Sequence, residues 1–154
     1  MQRRTFLKGS LATGTVAVAV GAGLLTPGMV LAAWPKGAFE AKSVQAGLSA
    51  LLGSDTTTPS TDIKIKAPDI AENGAVVPVT VSTDIGSVES IALFVEKNGS
   101  PLAANFILGK NAKGFVSSRL KMGKTSNVIA VVKAGGKAYS ARKEVKVTIG
   151  GCGG

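Results

Sequence analysis

Side chains that ordinarily perform catalysis are scarce in this chain, and the one that stands out is Cys152. It is the only cysteine in 154 residues, it lies between the pairs Gly150-Gly151 and Gly153-Gly154, and the chain has no histidine. A cysteine kept for packing belongs in the interior, where thiols are among the most buried side chains. A terminal segment with almost no side chains is instead expected to be accessible. Because glycine lacks Cβ and reaches backbone angles closed to other residues, residues 150–154 read as a thin swinging arm that presents the thiol. The plain alternative is a frayed glycine tail with an incidental cysteine. A free exposed thiol, however, is a liability in an oxidising compartment.

The rest of the inventory excludes most chemistry. Without histidine there is no side chain that titrates near neutral pH unperturbed, and no imidazole to activate a serine or cysteine. One cysteine and no histidine cannot build the common zinc sites. There is no Cys-x-x-Cys redox pair, and no phosphate-cradling glycine motif precedes a helix, so no catalytic residue, metal or cofactor is expected. The thiol itself has an ordinary pKa near 8.5, leaving only a few per cent thiolate at neutral pH, and nothing in the arm activates it. Such a thiol suits an attachment point that visiting enzymes activate in their own pockets: a carrier, with no catalysis of its own. Two other classes compete. A structural sandwich would use Cys152 for an intermolecular disulfide, and a thiol peroxidase would need a resolving cysteine and an activating cation, both missing from the arm.

The compartment is written near the other end. Arg3 and Arg4, followed by Thr5-Phe6-Leu7-Lys8, match a twin-arginine export signal. An acid-free, moderately apolar stretch follows from Leu11 to Leu31, ending Val30-Leu31-Ala32-Ala33 before Trp34-Pro35. Small residues in that arrangement predict cleavage after Ala33 and a periplasmic product; the alternative is an uncleaved membrane anchor, since about 20 apolar residues span a bilayer. The expected organisation is therefore a signal peptide over 1–33, a helix and linker over 34–62, a carrier domain over 63–149 and the arm over 150–154.

The chain is basic, with net charge +9, and remains so without the leader. Its cations are scattered and it has one Trp and one Tyr, whereas nucleic-acid binding calls for a basic patch with interleaved aromatics. Nucleic acid is thus not an expected partner. Most of the lysines read as the solvated face of strands, and the lesser reading is that they guide docking onto acidic protein partners by electrostatic steering.

The positioning elements follow from periodicity. Val44, Leu48, Leu51 and Leu52 share one side of a helix predicted over Phe39 to Leu52, with Gly53 as its stop. This helix reads as an outrigger, joined by the polar linker Ser54 to Asp62. From Ile63 on, alternation predicts about seven strands: Ile63 and Ile65; Val77 to Val81; Ile91 to Val95; Phe106 to Leu108; Phe115 to Met122; Asn127 to Lys133; Lys137 to Ile149. Asn98-Gly99 and Gly135-Gly136 mark turns, and Pro78 belongs at an edge or bulge. The pattern implies an all-β, immunoglobulin-like antiparallel sandwich. Ile91 to Val95 and Val128 to Val132 are apolar on both faces, so either the helix or a partner subunit must cover the second face.

The twin-arginine leader, the opening helix, the stretch Ala67-Pro68-Asp69-Ile70-Ala71-Glu72-Asn73-Gly74-Ala75-Val76-Val77-Pro78-Val79 and above all Gly-Gly-Cys-Gly-Gly at 150–154 resemble the SoxY family, the sulfur carriers of bacterial thiosulfate oxidation. The resemblance runs over essentially the whole chain. It implies a heterodimer with a second small β-sandwich protein, SoxZ, in the periplasm. It also implies that Cys152 holds the intermediates while a cytochrome couples thiosulfate to it, a hydrolase releases sulfate and, in some organisms, a dehydrogenase oxidises the remaining sulfane sulfur.

Overall fold

The computed structural model describes residues 34–148, so the export signal at Arg3 and Arg4, the cleavage point and the arm over 150–154 lie outside the described residues. Among the described residues two helices precede nine strands. Helix α1 (Lys36–Glu40) begins after Pro35, whose carbonyl accepts the Ala38 and Phe39 N–H groups, and helix α2 (Val44–Leu52) follows. The sequence predicts one helix over Phe39 to Leu52; the structure breaks it at residues 41–43, because Ser43 takes an extended conformation and its Oγ accepts the Ala46 N–H at 3.1 Å. Gly53 ends α2 with φ +75°, its N–H returning to the Ser49 carbonyl, the left-handed stop that glycine adopts without strain.

The strands are β1 (Thr58–Pro59), β2 (Ile63–Lys66), β3 (Ile70–Ala71), β4 (Val77–Thr83), β5 (Val88–Val95), β6 (Leu102–Ile107), β7 (Phe115–Leu120), β8 (Ser126–Ala134) and β9 (Lys137–Val147). One sheet runs β1-β9-β8-β5-β6 with β3 also paired to β9, and the other runs β2-β4-β7. The seven predicted strands are all present, and β6 is longer than its predicted core. Two-residue β1 and β3 were not foreseen. Both pair in parallel with β9, at Tyr139-Ser140 and at Lys146-Val147, so residues 54–62 are not a free linker but a strap held to the sheet.

Alternation sends Val77, Val79 and Val81 of β4 inward against Ile91, Leu93 and Val95 of β5 and Val128, Ala130 and Val132 of β8, forming one core between the sheets. Pro78 lies on the middle strand of its sheet, opposite Arg119 of β7, yet β2 reaches only Thr80 to Thr83. At Pro78 the strand is locally an edge, as its missing donor requires. Gly135 and Gly136 make the β8–β9 turn with φ +56° and +74°. Beside it, Glu89 accepts from Lys133 Nζ at 3.1 Å and from the Gly136 N–H at 3.3 Å. These donors, Lys133 first, hold its carboxyl below the usual glutamate range. Asn98-Gly99 does not form a tight hairpin turn: Asn98 reaches across to the β7–β8 loop, donating to the Lys121 carbonyl at 2.7 Å and accepting the Gly123 N–H at 3.2 Å.

The second face of the doubly apolar strands is covered by the helices. Ala92, Phe94, Ile129 and Val131 form a second core with Ala38, Leu48 and Leu102, so the predicted outrigger is packed onto the sheet. Gly47 is where α2 comes closest: a Cβ there would sit 2.9 Å from Cε1 of Phe94, which is fully buried. Gly47→Ala should therefore lower stability by about 1 kcal/mol, overpacking of about 1–3 kcal/mol exceeding the helix-propensity gain of about 1 kcal/mol. Gly37→Ala, with open space around its Cβ, should be neutral or mildly stabilising. Opposite signs in thermal denaturation check the close approach; a stabilised Gly47→Ala would refute it.

Candidate functional site

Residue 148 is the last described, four positions before Cys152, so the structure shows where the arm is rooted. The root is the end of β9, and it is held from both sides. On one side the segment 67–71, which carries β3, supplies carbonyls: Lys146 N–H donates to Asp69 O at 3.0 Å and Thr148 N–H to Ala71 O at 3.1 Å. On the other, the Val147 N–H donates to Thr125 Oγ1 at 3.0 Å, while that hydroxyl points back to the Val147 carbonyl at 3.5 Å. Val145, just inside the root, is fully buried.

That segment is itself tied down. Lys143 of β9 donates to the Ala67 carbonyl at 2.7 Å and pairs with Asp69 at 3.1 Å, with half of that pair exposed and hence worth little by itself. Ile70 and Ala71 then align with Lys146 and Val147. Beyond them the Asn73 side chain accepts the Ala75 N–H at 2.9 Å, an Asx turn that brings Gly74 against the root. A Cβ at Gly74 would collide with the Met122 carbonyl and come within 2.8 Å of Val147 Cγ1. Glycine is needed here for close approach, and its carbonyl accepts the Met122 N–H at 2.6 Å.

With the root fixed at residue 148, a chain extending about 3.3–3.6 Å per residue places Cys152 no farther than about 14 Å from it. Charges of both signs lie near the root: Lys97 and Glu144 line a small cleft with Thr125 and Asn127. Lys97, Lys121 and Lys124 line an open cleft of about 490 Å³ together with Asn98 and Ser100, and Lys124 adjoins Thr125 of the root. Glu96 at this end is engaged by Asn127 Nδ2 at 2.9 Å.

Of the residues singled out from sequence, Cys152, Gly150, Gly151, Gly153 and Gly154 lie outside the described residues, as do Arg3 and Arg4. Those that sequence reasoning missed are the anchors: Asp69, Ala71, Gly74 and Thr125. Asn73-Gly74 is a turn signal in its own right. Thr125 carries no signal at all, since only the fold brings it beside Val147.

Comparison with known proteins gives the site its context. The family model described as sulfur oxidation protein SoxY matches residues 48–152. Among solved structures, the sulfur carrier protein SoxY from Chlorobium limicola f thiosulfatophilum is 51% identical with a TM-score of 0.61, over 66% of this chain and 93% of that one. A superoxide reductase (neelaredoxin) from Ignicoccus hospitalis is similar at 22% identity and a TM-score of 0.51, over 56% of this chain and 80% of that one, a likeness of fold alone. None of the curated proteins matches.

Proposed function

The chain belongs to the SoxY family of sulfur oxidation proteins, and from that premise we propose that it holds intermediates of thiosulfate oxidation covalently on Cys152 and presents them to partner enzymes. The observation that carries this reading is that the family match extends through Cys152 itself, the chain's only thiol. The anchored root supports it: a carrier needs a fixed domain from which a short segment reaches into other proteins' active sites.

Joining the Cys152 sulfur to the outer sulfur of thiosulfate forms a sulfur–sulfur bond and releases two electrons, which a partner cytochrome accepts. Water then cleaves the terminal sulfonate as sulfate through a hydrolase, leaving a persulfide on Cys152, and in some hosts a sulfane dehydrogenase oxidises that remaining sulfur. The chain contributes the attachment atom and the anchored root; the redox and hydrolytic groups belong to its partners. In this reading the sandwich is of the immunoglobulin type and the chain works in the periplasm, exported through Arg3 and Arg4 with cleavage after Ala33. It is bound to a SoxZ-like β-sandwich subunit and has no permanent membrane anchor. Since the helices account for the doubly apolar strands, those strands do not bear on the partner.

Intact-mass analysis of protein isolated from its host during growth on thiosulfate tests the proposal. Heterogeneous increments of sulfur atoms and sulfonate, mapped to Cys152 on a chain beginning at Trp34, are expected. Uniformly unmodified Cys152, or a chain found wholly as disulfide-linked dimers, would overturn the carrier reading.

A further inference from the structure

Sheet edges carry unpaired backbone groups and are normally protected. Three of the edges here are. Strand β9 is capped by β1 and β3, with further bonds from Ser60 N–H to Ser140 O and from Lys146 N–H to Asp69 O. In the smaller sheet, edge strand β2 carries Lys64 and Lys66, and edge strand β7 carries Arg119. Edge strand β6, Leu102-Ala103-Ala104-Asn105-Phe106-Ile107, has neither charge nor proline nor a capping strand among the described residues.

Its pairing with β5 shows which groups are open. Leu108 N–H donates to the Glu89 carbonyl at 2.9 Å, and the register continues through Ile107–Ser90, Phe106–Ile91, Asn105–Ala92 and Ala104–Leu93 before a shift at Leu93/Phe94. In an antiparallel pair hydrogen-bonded and non-hydrogen-bonded positions alternate. Phe106 therefore bonds inward to Ile91, while the N–H and C=O of Asn105 and Ile107 face away from the sheet. Two side chains on this strand are also unfinished: Ile107 is 83% exposed, and Asn105 Oδ1 is buried with no hydrogen-bond partner.

We propose that β6 is an interaction edge that accepts an extended strand from a different protein, one that carries acidic residues beside that strand. Open main-chain donors and acceptors over a regular stretch select an extended backbone, and Ile107 supplies an apolar contact. Charge selects the partner. Lys42, whose Nζ reaches Ser100 Oγ at 3.5 Å just before β6, and Lys110, beside Ile107 and Leu108 at its end, are in none of the described ion pairs; Glu89, near Lys110, is engaged by Lys133 and Gly136. Two copies of this chain pairing antiparallel through β6 would bring Lys110 of one toward Lys42 of the other, a repulsive arrangement. An acid-flanked strand meets no such opposition.

The assignment rests on the heterodimer reading given above, and its test separates the two. Hydrogen–deuterium exchange of the full chain, alone and with the SoxZ-like subunit, should show the Asn105 and Ile107 amides slowed at least about tenfold in the complex, with Phe106 already protected in the free chain. Ile107→Glu and Asn105→Pro should each weaken the complex by about tenfold or more, the first by replacing the apolar contact with a charge that an acidic partner repels, the second by removing an interface N–H. Should the proline variant not fold, Ile107→Glu, altering an exposed side chain, and the exchange pattern decide the matter. A complex that forms while both amides exchange at their free rate overturns the β6 edge and leaves the heterodimer standing. Absence of any complex overturns both, and protection of the two amides in a homodimer of this chain overturns the different-partner assignment.

Discussion

Cys152→Ser is expected to abolish sulfur loading entirely while leaving the melting temperature within about 1 °C of the unaltered chain, as for substitutions that touch no packed feature. The two halves of this outcome have separate causes. A serine hydroxyl can form neither a disulfide-type bond to thiosulfate nor a persulfide, so no intermediate has an atom on which to ride. Stability, by contrast, rests among the described residues on an inter-sheet core that runs from Ile63 to Val145 and on bonds at Val147 and Thr148. Loading is read by intact mass after incubation with thiosulfate and the partner enzymes, and stability by thermal denaturation of the same preparation. Residual loading on the serine variant would move the attachment site elsewhere. A melting temperature several degrees lower would show that the arm packs into the fold.

That division also explains what was legible in the sequence. Val77, Val79 and Val81 announce a half-buried strand by their spacing alone, and every strand of four or more residues could be found this way. The doubly apolar Ile91 to Val95 declared that something covers its second face, but periodicity carries no information about which element does so. The answer depends on Gly47, whose missing Cβ lets α2 lie against Phe94. The break between α1 and α2 is signalled by Ser43 as an N-cap, and the stripe Val44, Leu48, Leu51 and Leu52 lies wholly within α2, so nothing in it requires a helix that begins at Phe39. Strands β1 and β3 escaped because two-residue parallel pairings have no period. For the same reason the anchors of the arm, Asp69, Ala71 and Thr125, were invisible: their contribution is a backbone carbonyl or a hydroxyl aimed at β9, and nothing local distinguishes such a residue from any other in a loop. Cys152 could be read directly because its chemistry and its glycine setting are both properties of the chain, independent of how the chain folds.

Phe94→Ala should destabilise the protein by about 3–5 kcal/mol, the usual range for truncating a buried phenylalanine, and lower its melting temperature by about 15 °C for a domain of this size. Phe94 is fully buried and sits at the centre of the cluster joining α1, α2, β5, β6 and β8. Its removal leaves a cavity that Ala92, Ile129 and Val131 cannot fill, because their backbone positions are fixed by the β5–β8 pairing. Gly47 gives a means of showing that the loss arises at the helix–sheet contact. In a Phe94→Leu background the ring atom 2.9 Å from the added methyl is gone, so Gly47→Ala should change from destabilising to neutral or stabilising, a coupling of about 1–2 kcal/mol between adjacent sites. Additive effects would mean that α2 does not rest on Phe94. Because the arm is rooted through β3 and Thr125 and not through the helices, the leucine variant should load sulfur on Cys152 at the unaltered rate wherever it remains folded, which separates the element that stabilises the carrier from the one that positions its thiol.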